Sequence, residues 1–160
     1  MKVIKGDLIQ MALKGDFDVI AHGCNCFCTQ GAGIAKQMAK TFKTNNPVFF
    51  PSEDISTRGS INKLGNIEYW CFDINKKNQK VFVVNAYTQY KYGVNSLGEA
   101  PLDYSALDLC FQKINHAFAG WSVGLPLIGC GLAGGDEETV IAMMKDRLKD
   151  VDLTVVEYKK

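Results

Sequence analysis

A strand, a glycine-rich loop and an amphipathic helix follow one another twice in this chain. In the first copy, an apolar segment over 16–25 leads into a helical pattern in which Ile34, Met38 and Phe42 are spaced by four residues. In the second copy, an apolar segment over 122–128 precedes a denser glycine loop and another helical pattern. Strands interleaved with helices predict an α/β sandwich. Ligands of such sheets bind outside the carboxyl ends of the strands.

The other elements follow from the same periodicities. Apolar segments predict strands at 3–5 and 153–158, and the segments 67–72 and 80–87 predict a hairpin around the polar turn 75–79. Steps of three and four residues predict a helix that begins near Asp103 or Ser105 and includes Tyr104, Leu107, Cys110, Phe111, Ile114 and Phe118. The segment 44–62 is rich in Pro, Ser, Thr and Asn and predicts a surface excursion.

Length and charge restrict the class of protein. A chain of 160 residues with 47% hydrophobic residues predicts a single compact domain over 1–160. The net charge of +1 gives no global attraction to nucleic acid or anionic lipid, so a phosphate ligand needs a local site. The apolar runs are too short to span a bilayer and no signal peptide is evident, so we expect an intracellular, cytoplasmic monomer without a membrane partner.

The six cysteines predict free thiols. Cys24, Cys26 and Cys28 alternate within one apolar segment, whereas a disulfide framework scatters its cysteines among loops. Three thiolates could bind zinc or copper, but a fourth ligand is not evident, so no metal site is expected. Cys130 precedes a predicted helix, a position that favours some thiolate character.

Both glycine loops are candidate anion sites. Gly31 and Gly33 leave backbone N–H groups open to an anion, and the following helix directs its partial positive end at the same point. The second loop has four glycines in the seven residues 129–135. The first loop has neither the spacing of a dinucleotide-binding fingerprint nor that of a P-loop. The alternative is two ordinary connections, but two such loops could hold one diphosphate.

These residues resemble those of the macrodomain family over nearly the whole chain. The resemblance implies a three-layer α/β/α sandwich with a mixed central sheet, which binds ADP-ribose and needs no cofactor. Asp7, in Gly6-Asp7-Leu8, would take the adenine amino group, and Asn25 would hold the distal ribose. The implied ligand-binding residues are Asp7, Leu8, Gly31, Ala32, Gly33, Ile34, Ala35, Gln89, Gly129, Cys130, Gly131, Leu132 and Tyr158.

Within that family the segment around Asn25 is most similar to the ADP-ribose 1''-phosphate phosphatases, which have a His three residues before the ribose Asn. The resemblance implies Asn25, His22 and Asp136 as catalytic residues for removal of this phosphate. His22 could donate a proton to the leaving oxygen and Asp136 could orient water. The alternatives are that His22 satisfies a buried group and that Asp136 caps a helix.

The terminal ADP-ribose protein glycohydrolases are a related branch, which attacks the anomeric carbon with a Lys. Gln89 stands at the position of that Lys, although Lys91 follows two residues later, and Ala133 replaces the Asp of that branch. Removal of ADP-ribose from protein or nucleic acid is therefore one alternative, and a reader that binds ADP-ribose without catalysis is another.

Aromatic side chains are candidates for both ends of the ligand. Tyr158 and Phe27 could stack on adenine, and Tyr90 and Tyr92 could flank the distal ribose. The segment 88–99, which contains these two tyrosines, predicts a movable loop.

Overall fold

A computed structural model describes residues 1–74, 78–93, 101–131 and 133–158. Its six strands are β1 Lys2–Gly6, β2 Val19–Asn25, β3 Ile67–Asp73, β4 Lys80–Gln89, β5 Ser122–Leu125 and β6 Asp152–Tyr158, and its α-helices are α1 Leu8–Leu13, α2 Gly33–Phe42, α3 Tyr104–Ala117 and α4 Glu137–Arg147. The strands form one sheet in the order β1-β6-β5-β2-β4-β3. All neighbours are parallel except β3 and β4, so the sheet is mixed.

The sheet is covered on both faces. Side chains of α3 and α4 pack with one face in a cluster that includes Phe111 and Met144, and α1 and α2 pack on the other face around Ile20 and Met38. Because the central strands are buried on both sides, they are continuous apolar runs such as Val19-Ile20-Ala21, which parallel sheets require. The predicted three-layer α/β/α sandwich with a mixed sheet is confirmed.

Most predicted elements are present. The hairpin is β3 paired antiparallel with β4, although residues 75–77 of its predicted turn lie outside the described residues. The strand predicted over 122–128 ends at Leu125, before Pro126, which has no N–H to donate to the sheet. Helix α1 was not predicted, because a six-residue segment gives too little periodicity. No helix in the described part of the chain is long and apolar enough to cross a membrane.

The prediction that 44–62 is a surface excursion is wrong in part. Three short 3₁₀ helices, Pro51–Glu53, Ile55–Thr57 and Ile61–Lys63, follow α2. Within and next to this segment, Thr44, Phe50, Glu53 and Lys63 are buried. The buried polar side chains are satisfied by partners from elsewhere in the fold: Gln30 Nε2 donates to Glu53 Oε1 at 2.7 Å and the Tyr87 hydroxyl donates to Glu53 Oε2 at 2.8 Å.

Two leucines of α3 give a test of this packing. Leu107 is fully buried in the cluster under α3 and α4, whereas Leu109 on the same helix is 46% exposed. We expect Leu107→Ala to lower the free energy of unfolding by about 2–5 kcal/mol, because the cavity it leaves cannot collapse fully. The matched control Leu109→Ala should cost less than about 1 kcal/mol. Equal losses in urea unfolding would contradict the packing.

Candidate functional site

One cavity of about 1100 Å³ lies at the carboxyl ends of β1, β6, β5, β2 and β4. The first glycine loop contributes Gly31, Ala32, Gly33, Ile34 and Ala35 to its wall, and the second contributes Gly129, Cys130, Gly131 and Ala133. Its volume is slightly larger than the roughly 300–1000 Å³ of typical small-molecule sites. The two glycine loops, about 100 residues apart in the chain, therefore line one and the same cavity.

One end of the cavity is formed where β1 and β6 end side by side. Gly6 and Tyr158 are paired in register, which brings Asp7 next to the end of β6. Asp7, Leu8, Glu157 and Tyr158 line this end of the cavity, and Tyr158 is 65% exposed. Asp7 Oδ1 also accepts a hydrogen bond from Gln10 N at 3.1 Å, so the carboxylate is held in place as the N-cap of α1.

The N-terminus of α2 has a feature that the other α-helices lack. Helices α1, α3 and α4 are each capped by an aspartate side chain: Asp7, Asp103 and Asp136. The N-cap of α2 is Ala32, which makes no side-chain hydrogen bond. The first N–H groups of α2 are therefore without an internal cap at the wall of the cavity. Together with the helix dipole, they form a site for an anion.

The glycines of the first loop leave room beside these N–H groups. A Cβ atom placed on Gly31 would have no heavy atom within 4 Å, so this residue faces open space. Gly33 has φ of +57°, a left-handed conformation that glycine adopts at little cost.

The second loop is folded on itself by backbone hydrogen bonds. Gly135 N donates to Gly129 O at 2.6 Å, and Gly134 N donates to Gly131 O at 3.0 Å. Gly129 and Gly134 have φ of +79° and +72°, so glycine is needed at both. Leu132, predicted to bind the ligand, lies outside the described residues.

Asn25 organises the first loop. Its Oδ1 accepts hydrogen bonds from Phe27 N at 2.9 Å and from the Thr29 hydroxyl at 3.0 Å, and its Nδ2 donates to Thr29 O at 2.9 Å. Asn25 and Thr29 both line the cavity. The side chain predicted to hold a ribose thus also determines the course of the loop that would bind the diphosphate.

His22 is not among the residues that line the cavity. It is fully buried in β2, and its Nε2 lies 2.7 Å from Asn85 Oδ1. Asn85 Nδ2 donates to Thr44 O, which assigns Oδ1 as an acceptor and leaves the proton on His22 Nε2. Burial lowers the pKa of His22 to about 4, although the hydrogen bond to Asn85 opposes this shift. The histidine is therefore neutral at pH 7, and its catalytic role stays a prediction.

Asp136 caps α4. Its Oδ2 accepts hydrogen bonds from the Thr139 hydroxyl at 2.7 Å and from Thr139 N at 3.0 Å, and these bonds lower the pKa of Asp136. The cavity is lined by the next residue, Glu137, and not by Asp136. The contacts of Asp136 are thus those of a helix cap, which was the alternative to a catalytic role. A role of Asp136 in orienting water stays a prediction.

Cys130 lines the cavity beside this helix start, but it does not gain thiolate character there. Burial, together with the negative charges of Glu137 and Asp136, raises the pKa of Cys130 to about 11. The prediction from helix position alone was wrong, because the helix dipole is outweighed by burial and by two neighbouring carboxylates.

The other end of the cavity is formed by Gln89, Tyr92 and Gly93. Tyr92, which is 60% exposed, also borders a second pocket of about 440 Å³ whose other walls are Phe27, Arg58 and Lys91. Lys91 lines this second pocket and not the main cavity.

The two aromatic residues predicted to stack on adenine, Phe27 and Tyr158, line different pockets. Phe27 packs edge-on against Tyr90, with ring centroids 5.1 Å apart, and lies at the wall of the second pocket. Tyr158 remains the aromatic side chain at the Asp7 end of the main cavity. In the segment 88–99, predicted to move, residues 94–99 lie outside the described residues.

Several lining residues were not predicted from the sequence. They include Ile9, Thr29, Gln37, Glu137 and Glu157. Glu137 could have been found from its position directly after a helix cap that follows a glycine loop. All six cysteines are free, as predicted, and no group of three metal-ligating side chains occurs within 1–74, 78–93, 101–131 and 133–158.

Comparisons with known proteins agree with this geometry. No family profile matches the chain. An uncharacterised 17.5 kDa protein from the tk–vs intergenic region of enterobacteria phage T4 is 29% identical over 99% of this chain and 97% of its own length. A protein of Bacteroides thetaiotaomicron has a TM-score of 0.75 at 26% identity, covering 98% of this chain and 99% of that one.

Solved macrodomains have the same fold. The macrodomain of Mycobacterium tuberculosis DarG matches with a TM-score of 0.69 and 22% identity over 98% of both chains. Thermosipho africanus DarTG, solved in complex with ADP-ribose, matches with a TM-score of 0.70 and 14% identity over 99% of this chain and 41% of that one. The fold of this chain is that of the macrodomains.

The burial of His22 predicts a pH dependence of stability. Its pKa is about 4 in the folded chain against 6.5 in the absence of structure, so the unfolded chain binds more protons between these values. The contribution of neutral His22 to the free energy of unfolding is complete above pH 6.5. It is lost as the pH falls towards 4, which lowers the free energy of unfolding by about 3 kcal/mol. We expect urea unfolding of His22→Gln to lack this part of the acid dependence.

The comparison is made at pH 7, 5.5 and 4.5, and His116→Gln serves as the control for loss of the other histidine of the chain. Parallel curves of unfolding free energy against pH for the wild type and His22→Gln would contradict the assignment.

Proposed function

We propose that the chain binds ADP-ribose or a close derivative in the main cavity. The observation that carries this proposal is the uncapped N-terminus of α2, which lies at the cavity wall next to Gly31, while the other α-helices in the described residues have an aspartate cap. A diphosphate would supply the missing hydrogen-bond acceptors and the negative charge that the helix dipole favours. The facing loop at Gly129 and Gly131 would bind it from the other side.

The two ends of the cavity suit the two ends of this ligand. At one end Asp7 offers a carboxylate for an adenine amino group and Tyr158 offers an exposed ring for stacking. At the other end Asn25 and Gln89 offer amides for ribose hydroxyls. The DarTG complex with ADP-ribose supports this choice of ligand at the level of the fold.

For the reaction we propose hydrolysis of the phosphate from ADP-ribose 1''-phosphate. Glu137 is a carboxylate at the cavity wall and is suited to take a proton from the attacking water. Water would attack phosphorus and give one proton to Glu137, the bond from phosphorus to the ribose oxygen would break, and that oxygen would leave with the proton of the phosphate monoanion. Glu137 would then release its proton to solvent. Asp136 would position Glu137 through its cap of α4, and His22 would act as a positioning residue beneath Asn25.

One observation favours a second candidate, removal of ADP-ribose from a macromolecule. Tyr92 borders both the main cavity and the pocket of Phe27, Arg58 and Lys91, where two exposed cations and aromatic rings could contact a phosphate-bearing chain attached to the ribose. Gln89 cannot act as a nucleophile, so water would have to attack the anomeric carbon. A reader without activity is the remaining alternative.

Gly31→Val tests the binding proposal. The Cβ position at Gly31 is unobstructed and its φ is not left-handed, so the fold should tolerate valine, while the side chain would intrude on the proposed diphosphate site. We expect calorimetric affinity for ADP-ribose to fall at least tenfold, with a thermal unfolding midpoint within about 2 °C of the wild type. Unchanged affinity would contradict the proposed site.

Glu137→Gln tests the reaction. We expect phosphate release from ADP-ribose 1''-phosphate in the presence of EDTA to slow at least tenfold, because the amide cannot accept a proton, while ADP-ribose affinity changes less than threefold. Glu138→Gln is the matched control, since Glu138 is exposed and does not line the cavity. Equal effects of both variants would exclude Glu137. Wild-type release of ADP-ribose from modified protein or DNA, without phosphatase turnover, would favour the second candidate.

A further inference from the structure

A buried ammonium group in this fold has sulfur as its hydrogen-bond partner among the described residues. Lys63 is 5% exposed, and its Nζ donates to Cys28 Sγ at 3.1 Å. Burial of an ammonium is costly unless negative charge or strong acceptors surround it. The positive charge of Lys63 also acts to lower the pKa of Glu53 and of Asp54. The hydrogen bond of the ammonium group, however, is with the Cys28 thiol.

Cys28 is held in an unusual conformation at this contact. Its φ is +60°, a left-handed value that is uncommon for a residue other than glycine. Its sulfur lies 3.4 Å from Ser52 O and 3.6 Å from Asp54 O, so three groups surround it at contact distance. The residue as a whole is half-buried, unlike Cys24, Cys26 and Cys110.

Among the described residues Cys28 is the half-buried cysteine whose sulfur is in direct contact with an ammonium, whereas Cys71 is half-buried near Lys80 without a hydrogen bond to it. Cys24, Cys26 and Cys110 are buried, and burial raises the pKa of all three thiols. Cys130 is half-buried but lies near two carboxylates, which raise the pKa of its thiol. Cys71 is half-buried in the edge strand β3 and provides an internal control.

We propose that Cys28 is a modification site for hydroperoxides, activated by Lys63. The sulfur of Cys28 attacks one peroxide oxygen, the S–O bond forms as the O–O bond breaks, and the second oxygen leaves as water with the thiol proton. Cys28 is thereby oxidised by two electrons to a sulfenic acid, and hydrogen peroxide is reduced to water. The Lys63 ammonium stabilises negative charge on the reacting sulfur and on a sulfenate product.

This modification acts on the proposed ligand site, a consequence that rests on the proposed function. Cys28 lies between Asn25 and Thr29, the two cavity residues whose mutual hydrogen bonds define the first loop. Because the sulfur already has contacts at 3.1–3.6 Å, an added oxygen cannot be accommodated without movement of this loop. Oxidation should therefore weaken ADP-ribose binding at least tenfold, reversibly.

The experiment treats the reduced protein with substoichiometric hydrogen peroxide, traps sulfenic acid with dimedone, and quantifies each cysteine peptide by mass spectrometry. We expect Cys28 to carry at least ten times the label of Cys71 and Cys130. Lys63→Met should lower the labelling at least fivefold, whereas Lys63→Arg, which keeps the charge, should retain most of it. Near-UV circular dichroism reports whether each variant is folded.

Equal labelling of Cys28 and Cys71 in the wild type would overturn the proposal, whether or not the Lys63 variants fold. Full labelling of a folded Lys63→Met protein would remove the role of Lys63. ADP-ribose affinity is measured before oxidation, after oxidation and after dithiothreitol, with Cys71→Ser and Cys28→Ser in parallel. If the reduced protein does not bind ADP-ribose, the proposed function fails while the labelling still tests the modification site.

Discussion

The unsatisfied N-terminus of α2 is the constraint on which the site depends. In three α-helices of the described chain, the side chain of an N-cap aspartate accepts a hydrogen bond from an N–H group of the first turn. The N-cap of α2 is instead Ala32, which lies between two glycines. This local arrangement exposes N–H groups and a partial positive charge to the cavity. The parallel sheet then brings the second glycine loop to the same edge, since β2 and β5 are paired neighbours.

A buried polar network supports the loop that precedes this helix. Gln30 accepts a hydrogen bond from the Thr44 hydroxyl and donates to Glu53, which also accepts one from Tyr87. Burial raises the pKa of Glu53, although its hydrogen bonds with Tyr87 and Gln30 lower it. Buried networks that are satisfied restrict the conformations of the segments they join. The first loop is therefore presented as a rigid surface before any ligand arrives.

Much of the fold could be predicted from the sequence because its long elements have clear periodicity. Helix α3 and the β3–β4 hairpin follow directly from apolar spacing and turn residues. The short helix α1 and the burial of Glu53 and Lys63 could not be predicted, since they depend on tertiary partners and not on local pattern.

The two glycine loops that line the cavity could be recognised in the sequence, whereas the positions of the charged side chains around them could not. Loops that follow parallel strands lie at the same edge of the sheet, so both glycine loops were expected there. Asp7 and Tyr158 are brought together by the register of β1 and β6. His22 was expected near the ligand, but the inward direction of a side chain in a central strand buries it against Asn85. At the start of α4, two adjacent acidic residues have different positions: Asp136 caps the helix, and Glu137 lines the cavity.

The most direct test of the central claim is a titration of the ¹⁵N-labelled protein with ADP-ribose, followed by backbone amide chemical shifts. We expect the largest changes at Gly31, Gly33 and the following first turn of α2, with further changes at Gly129 and Gly131. Saturable binding that leaves these amides unshifted, or no binding at millimolar ADP-ribose, would contradict the claim that the N-terminus of α2 is an anion site for this ligand.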